Sequence, residues 1–275
     1  MWNPEDYAKN SDAQLKWARE LRSYLDLKGT ESILDVGCGD GKITADFAAK
    51  SPNSNARCYN GGHPRNALAR VVGVDSSSQM ISYAIRTYAT SQYANLSFAC
   101  MDARSLDFNH EFDLVFSNAT LHWVDDHQAF LKGTNLALRN GGRLIISCGG
   151  QGDASDVLQV FSQVVASKPW SIYFDNFHNP YFFYGVRDYQ LWLQESGFNI
   201  ERLELVPTDM THKGKEGLAA WIRTTWLPFT NRIPESERDS FIAHFVELYL
   251  EQIPLAPNGL AHVRMVRLQV DAHKP

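Results

Sequence analysis

Asp35-Val36-Gly37-Cys38-Gly39-Asp40-Gly41 follows directly on the apolar run Ser32-Ile33-Leu34. A short buried strand therefore hands over to a glycine-rich turn, and Ile43, Phe47 and Ala48 supply the helical stripe that follows. Glycines at such a junction let the backbone turn sharply and approach a ligand without a Cβ in the way. Two nucleotide-binding loops can be tested against the spacing. A P-loop needs Gly-Lys followed by Ser or Thr, with another Gly five residues before that Gly. Here Gly41-Lys42 is followed by Ile43, and Val36 stands at the earlier position. A dinucleotide fingerprint needs a third glycine six positions into the motif, where this chain has Lys42. Neither loop fits, and a D-x-G-x-G-x-G loop remains.

Outward from the loop, short apolar runs alternate with helical stripes. Val71–Val74 ends in Asp75, and Met80, Ile81, Ala84, Ile85 and Tyr88 follow at helical spacing, with Ser76 or Ser77 as N-cap. Leu96–Cys100, Phe112–Phe116 and Leu144–Cys148 read as further strands. Phe130, Leu131, Asn135 and Leu138 read as a helix that Gly141-Gly142 terminates. Alternation of this kind predicts an α/β fold around a mostly parallel, Rossmann-like sheet. The segment Ser51–Ala69 breaks the rhythm, because αβ connections usually run about 2–6 residues, and reads as a surface insertion. Beyond Gly150 the pattern turns helical and aromatic. Helices are expected around Val157–Val165, Tyr189–Glu195, Glu216–Trp226 and Pro234–Ile253, with strands over Ile200–Val206 and Leu260–Val270.

Composition narrows the function classes. The 275 residues are 44% apolar with a net charge of −5, which suits a packed core and argues against a nucleic-acid footprint. No stretch offers the roughly 18 uncharged apolar residues of a membrane span. The opening MWNPEDYAKN lacks a basic segment followed by an apolar one, so no signal peptide is expected. Cys38, Cys58, Cys100 and Cys148 are widely spaced, with no CxxC pair. Neither a disulfide framework nor a metal site is expected, and a cytoplasmic location fits.

The loop resembles motif I of class I S-adenosylmethionine-dependent methyltransferases, and its downstream partners strengthen the resemblance. It implies S-adenosyl-L-methionine as cofactor, with Asp35, Gly37, Cys38, Gly39 and Gly41 at the methionine part. Asp75 would take the ribose hydroxyls, and Ser76 and Met80 are further candidates for contact with the cofactor. Asp102 and Ala103 would take the adenine, and Asn118 would stand beside the reacting centre. Trp2-Asn-Pro-Glu-Asp-Tyr7 and Ser117-Asn-Ala-Thr-Leu-His-Trp-Val124 are similar to trans-aconitate methyltransferases. The glycine loop and Leu121-His-Trp-Val124 are also similar to juvenile hormone acid methyltransferases, and malonyl-carrier-protein methyltransferases have a related segment after the fourth strand. All three groups methylate carboxylates. The expected layout is an N-terminal helical cap segment over 1–30, a cofactor-binding core over 31–150 with the 51–69 insertion, and 151–275 supplying cap helices and the strands that complete a seven-stranded sheet.

Site expectations beyond the cofactor are more open. His122 is the candidate general base, and Trp123 either walls the acceptor pocket or packs the helix behind it. Tyr7 and Gln14 resemble N-terminal residues that close over the ligands in relatives. Trp170, Tyr173, Tyr181 and Trp226 are candidates for touching substrate, although cap aromatics more often form core. A carboxylate is ionised at pH 7 and needs no base, which favours methyl-ester formation on a small-molecule acid. An amine, carbon or phenol acceptor, and a non-catalytic cofactor-binding subunit, stay open as alternatives. No nucleic-acid or membrane partner is expected.

Overall fold

The computed structural model describes residues 19, 21, 25–50, 69–88 and 93–275. Tyr7, Gln14, most of the 1–30 segment and residues 51–68 of the insertion lie outside these. Seven strands form one sheet: β1 (Ile33–Val36), β2 (Val71–Asp75), β3 (Leu96–Cys100), β4 (Phe112–Asn118), β5 (Leu138–Gly149), β6 (Asn199–Lys213) and β7 (Leu260–His273). Their order is β3-β2-β1-β4-β5-β7-β6. Pairs β3–β2, β2–β1, β1–β4 and β4–β5 are parallel. β7 runs against β5. The Gly141 N–H donates to the Lys274 carbonyl, and Arg143 is salt-bridged to Asp271.

Between the strands lie α1 (Lys42–Ala49), α2 (Ser78–Thr87), α3 (His127–Ala137), α4 (Ser155–Ala166), α5 (Val186–Glu195), α6 (Gly214–Thr225), the short α7 (Leu227–Thr230) and α8 (Glu235–Gln252). Ser77, rather than Ser76, caps α2, its hydroxyl accepting from the Met80 N–H at 3.3 Å. Leu138 is not helical as its spacing suggested. α3 ends at Ala137, and Leu138 is extended, fully buried and opposite Phe112 of β4. The Lys274 ammonium donates to the Asn135 and Leu138 carbonyls, which helps fix the helix end there. Residues 139–142 then bulge outward, with Gly141 at φ +75°. Gly141-Gly142 therefore lies within β5. A local glycine signal could not distinguish a turn before a strand from a bulge inside it.

The chain divides into two compact units. The first comprises the described residues up to Cys148, with 184–205 and 268–275. Its core joins the apolar residues of β1, β2, β4 and β5 to Phe130, Leu131, Tyr189 and Leu193. On the other sheet face, Phe47, Ala48, Phe116 and Ile145 pack together. The second unit, residues 149–183 and 206–267, is held by an aromatic cluster in which Phe161 meets Phe229, Phe245 and Trp226.

Candidate active site

The strand order reverses between β1 and β4, so helices leave the sheet in opposite directions there and a crevice opens at the carboxyl ends. The glycine loop occupies that point. Gly37 and Cys38 donate their N–H groups to the Val74 carbonyl of β2, at 2.7 and 2.9 Å. Gly37, Gly39 and Gly41 all have positive φ. At Gly37 the reason is steric as well as torsional, because a Cβ there would lie 2.1 Å from Thr120 Cγ2. Thr120 also donates its hydroxyl to the Gly37 carbonyl at 3.1 Å, and Ser117 donates to the Val36 carbonyl at 2.9 Å. The segment after β4 is thus fastened onto the glycine loop. Ala119 pays for this with φ +56°, a left-handed conformation uncommon for a residue with a Cβ.

Three carboxylates surround the loop. Asp35 is buried, and its Oδ2 accepts from the Thr44 hydroxyl at 2.7 Å. Burial, reinforced by Asp75 and Asp40, pushes its pKa up from 3.8 to about 7, against the lowering effect of the Thr44 bond. Asp75 divides its oxygens between the Gly39 N–H at 3.0 Å and the Ser77 N–H at 2.8 Å. Burial raises its pKa too, with those two bonds opposing. Asp40 is buried and 3.8 Å from the Lys42 ammonium. A loop ringed in this way repels phosphate and attracts a cation. That is the electrostatic opposite of a P-loop, and it suits a ligand carrying sulfonium and ammonium charges.

The remaining predicted residues fall around the same edge. Asn118 ends β4 and is buried. Ala103 is buried, and Met80 packs inside α2. Ser76 accepts a weak Cys100 thiol contact on its carbonyl, 3.6 Å away. Asp102 caps a 3-10 turn through the Arg104 N–H, and its carboxylate also takes the Arg104 guanidinium at 2.6 Å. Arg104 bridges onward to Asp125 at 2.9 Å. The pair is exposed, where such contacts contribute little stability. Cys38 is buried and its thiol pKa is pushed up by burial, so it is no nucleophile.

His122 and Trp123 sit on a 3-10 turn, Leu121–Trp123, with their rings 5.6 Å apart. What holds that turn was not legible in the sequence. His127, buried at the start of α3, has Nε2 2.7 Å from the Leu121 carbonyl and Nδ1 2.6 Å from the Tyr189 hydroxyl. Burial lowers its pKa. The neutral tautomer that satisfies both contacts donates from Nε2 and accepts at Nδ1. Tyr184 and Trp192 pack edge-on against the ring, 4.7 and 6.2 Å away. Asp40, Thr44, Thr120 and His127 are therefore the residues that sequence reasoning missed. No spacing links His127 to Tyr189, 62 residues away.

Of the aromatics expected to meet substrate, Trp170 donates its indole N–H to His244 at 2.8 Å, and Tyr173 donates to the Glu237 carboxylate at 3.1 Å. Trp170 is buried within the second unit, and the half-buried Tyr173 is tied down by Glu237 of the same unit. Tyr181 stacks on Phe183 and stands edge-on to Trp226, 5.2 Å away.

The methyltransferase-domain family model matches residues 27–168, just over half of the chain. The chain belongs to this family. It is a class I, S-adenosylmethionine-dependent methyltransferase by fold and by family. An uncharacterised methyltransferase of Schizosaccharomyces pombe is 29% identical over 241 residues, covering 85% of this chain and 84% of that protein. A trans-aconitate 2-methyltransferase from an Enterobacter species is 27% identical over 270 residues, covering 97% and 96%. Among solved structures, a Bacillus halodurans protein superposes with a TM-score of 0.62 at 18% identity, covering 94% of this methyltransferase and 98% of its own chain. That likeness speaks for the fold. Among the described residues, no helix of the methyltransferase is long and apolar enough to cross a membrane.

Proposed function

We propose that this methyltransferase esterifies the carboxylate of a small-molecule acid. The observation that carries the reading is the likeness to trans-aconitate 2-methyltransferase along 97% of the chain. It extends through the second unit as well as the shared core. The chemistry of the loop is in keeping with it. Asp35, Gly37, Cys38, Gly39 and Gly41 would hold the methionine part of S-adenosyl-L-methionine. Asp75 would hold the ribose, with Ser76 and Met80 also near the cofactor, and Asp102 and Ala103 the adenine. The bound cofactor supplies an activated sulfonium methyl for in-line displacement by the acceptor oxygen. The protein's share is alignment, which contributes about 7–11 kcal/mol to such reactions. Asn118 and Trp123 would set the acceptor's approach, and the Thr120 and His127 contacts keep their segment in place.

A carboxylate oxygen attacks without losing a proton, so His122 is not needed as a base. Methyl transfer from radiolabelled cofactor to a panel of carboxylic acids should give a product that mild alkali hydrolyses, and His122→Asn should retain turnover. An alkali-stable product, together with loss of turnover in His122→Asn, would move the assignment to an amine or phenol acceptor. His122 beside Trp123 is the observation that keeps this second reading in view.

A further inference from the structure

The second unit satisfies most of its buried polar groups internally. Trp170 has His244, and the Tyr249 hydroxyl donates to the His262 carbonyl at 2.8 Å. Three buried side-chain atoms of this unit lack a hydrogen bond: Thr208 Oγ1, His212 Nε2 and Trp226 Nε1. They are not scattered. Along β6, Thr208, Met210 and His212 are the half-buried positions, alternating with exposed Pro207, Asp209, Thr211 and Lys213, so the three share one strand face. Helix α6 approaches that face closely, since a Cβ on Gly217 would lie 3.3 Å from the His212 backbone. One turn further on, Trp221 stacks on the His212 ring, with centroids 4.9 Å apart. Trp226 meets the same Trp221 edge-on at 5.7 Å and is only 3% exposed.

We propose that this face is a ligand site for a molecule with an apolar body and an uncharged oxygen, a hydroxyl or carbonyl, received between Trp226 Nε1 and His212 Nε2. Leaving a polar atom buried without a partner is costly, and two such atoms flanking one aromatic ring mark a position built for a partner from outside the chain. Trp226 offers only a donor, so the incoming group must accept. Burial lowers the His212 pKa and holds its ring neutral. The arginines Arg223, Arg232, Arg238 and Arg264 make their recorded bonds elsewhere, to Asp239, the Tyr173 carbonyl, the Thr230 carbonyl and Asp156. At the two buried atoms themselves a carboxylate would meet an indole N–H and a neutral imidazole, which is a poor exchange for its hydration. The site therefore selects against a polyanion and for a neutral oxygen on an aromatic or alicyclic body. Equating this ligand with the methyl acceptor rests on the carboxyl-methylation reading above; the site itself does not.

The test uses the full chain saturated with S-adenosylhomocysteine and calorimetric titration with matched acids. The probes are phenylalkanoic acids with side chains of two to eight carbons, their para-hydroxy counterparts, and citrate as the polyanion. In the wild type, at least one hydroxy acid should bind tenfold or more tightly than its unsubstituted partner, equivalent to about 1.4 kcal/mol. Trp226→Phe and His212→Phe should each reduce that preference to twofold or less while leaving the unsubstituted acid's Kd within threefold, which also verifies folding. Should Trp226→Phe not fold, His212→Phe decides. The proposal is overturned if no pair shows the preference, if the preference survives both variants, or if citrate binds more tightly than either series. Base-labile ester formed from any acid upholds the carboxyl reading whatever the hydroxyl does. Conversely, a variant-sensitive hydroxyl preference without ester formation upholds this site and sinks that reading.

Discussion

Asp35→Asn isolates the electrostatics of the glycine loop. The substitution keeps the shape and the acceptor for Thr44 but cannot ionise. The wild-type carboxyl titrates at about 7 when folded, against 3.8 as its ordinary value. Its folded pKa is raised, so the stability it contributes is fully present below about pH 4 and is lost as pH rises through about 7. Three units at ~1.4 kcal/mol each give about 4 kcal/mol. Urea denaturation of both proteins from pH 4.5 to 8.5 should show the variant gaining on the wild type by several kcal/mol across that window, then levelling off. Taking the difference removes Asp153, whose buried carboxyl is raised to about 6 and drifts in the same direction in both proteins. Cofactor binding reads the same group independently. A cation beside the loop favours the ionised form, so near pH 7 the wild type should release a fraction of a proton on binding S-adenosylmethionine. This release is visible as a heat that depends on the buffer's ionisation enthalpy. Asp35→Asn should release less. A stability difference that stays flat with pH would refute the argument that Asp35 is buried against neighbouring carboxylates.

Gly37→Ala should lose about 2–5 kcal/mol of stability, combining left-handed strain of ~1–2 with a clash worth ~1–3 kcal/mol. Adding Thr120→Ala should recover only the clash, as a denaturant double-mutant cycle would read. Asp75→Ala should weaken S-adenosylmethionine binding strongly by calorimetry while the chain stays folded, because it frees only two half-buried backbone N–H groups, those of Gly39 and Ser77. His127→Phe removes the donor from the Leu121 carbonyl at a cost of about 1–3 kcal/mol. Because it loosens the turn carrying His122 and Trp123, kcat should fall several-fold with cofactor affinity unchanged. An equal loss of cofactor affinity would show that the turn does not act separately from the loop.

Local pattern is enough to give the sheet core and to put the glycine loop at a strand end. Strand ends are local events: an apolar run, then Gly37 or Asp75 or Asn118, each readable without knowing what packs against it. Parallel order then brings those ends to one edge, because right-handed crossovers leave little freedom. Tertiary structure alone decided the rest. Asp35 is raised to about 7 because the fold buries it beside Asp75 and Asp40, and a carboxylate's pKa depends on neighbours no local pattern names. Residues 139–142 became a bulge because Lys274, from the far end of the chain, takes carbonyls at the end of α3. His127 holds the Leu121–Trp123 turn through a tyrosine 62 residues away. In the second unit the aromatics were countable, but not their roles. Trp170 and Trp226 are the same residue type in the same cluster, and only packing gave one a histidine partner and left the other's N–H without one.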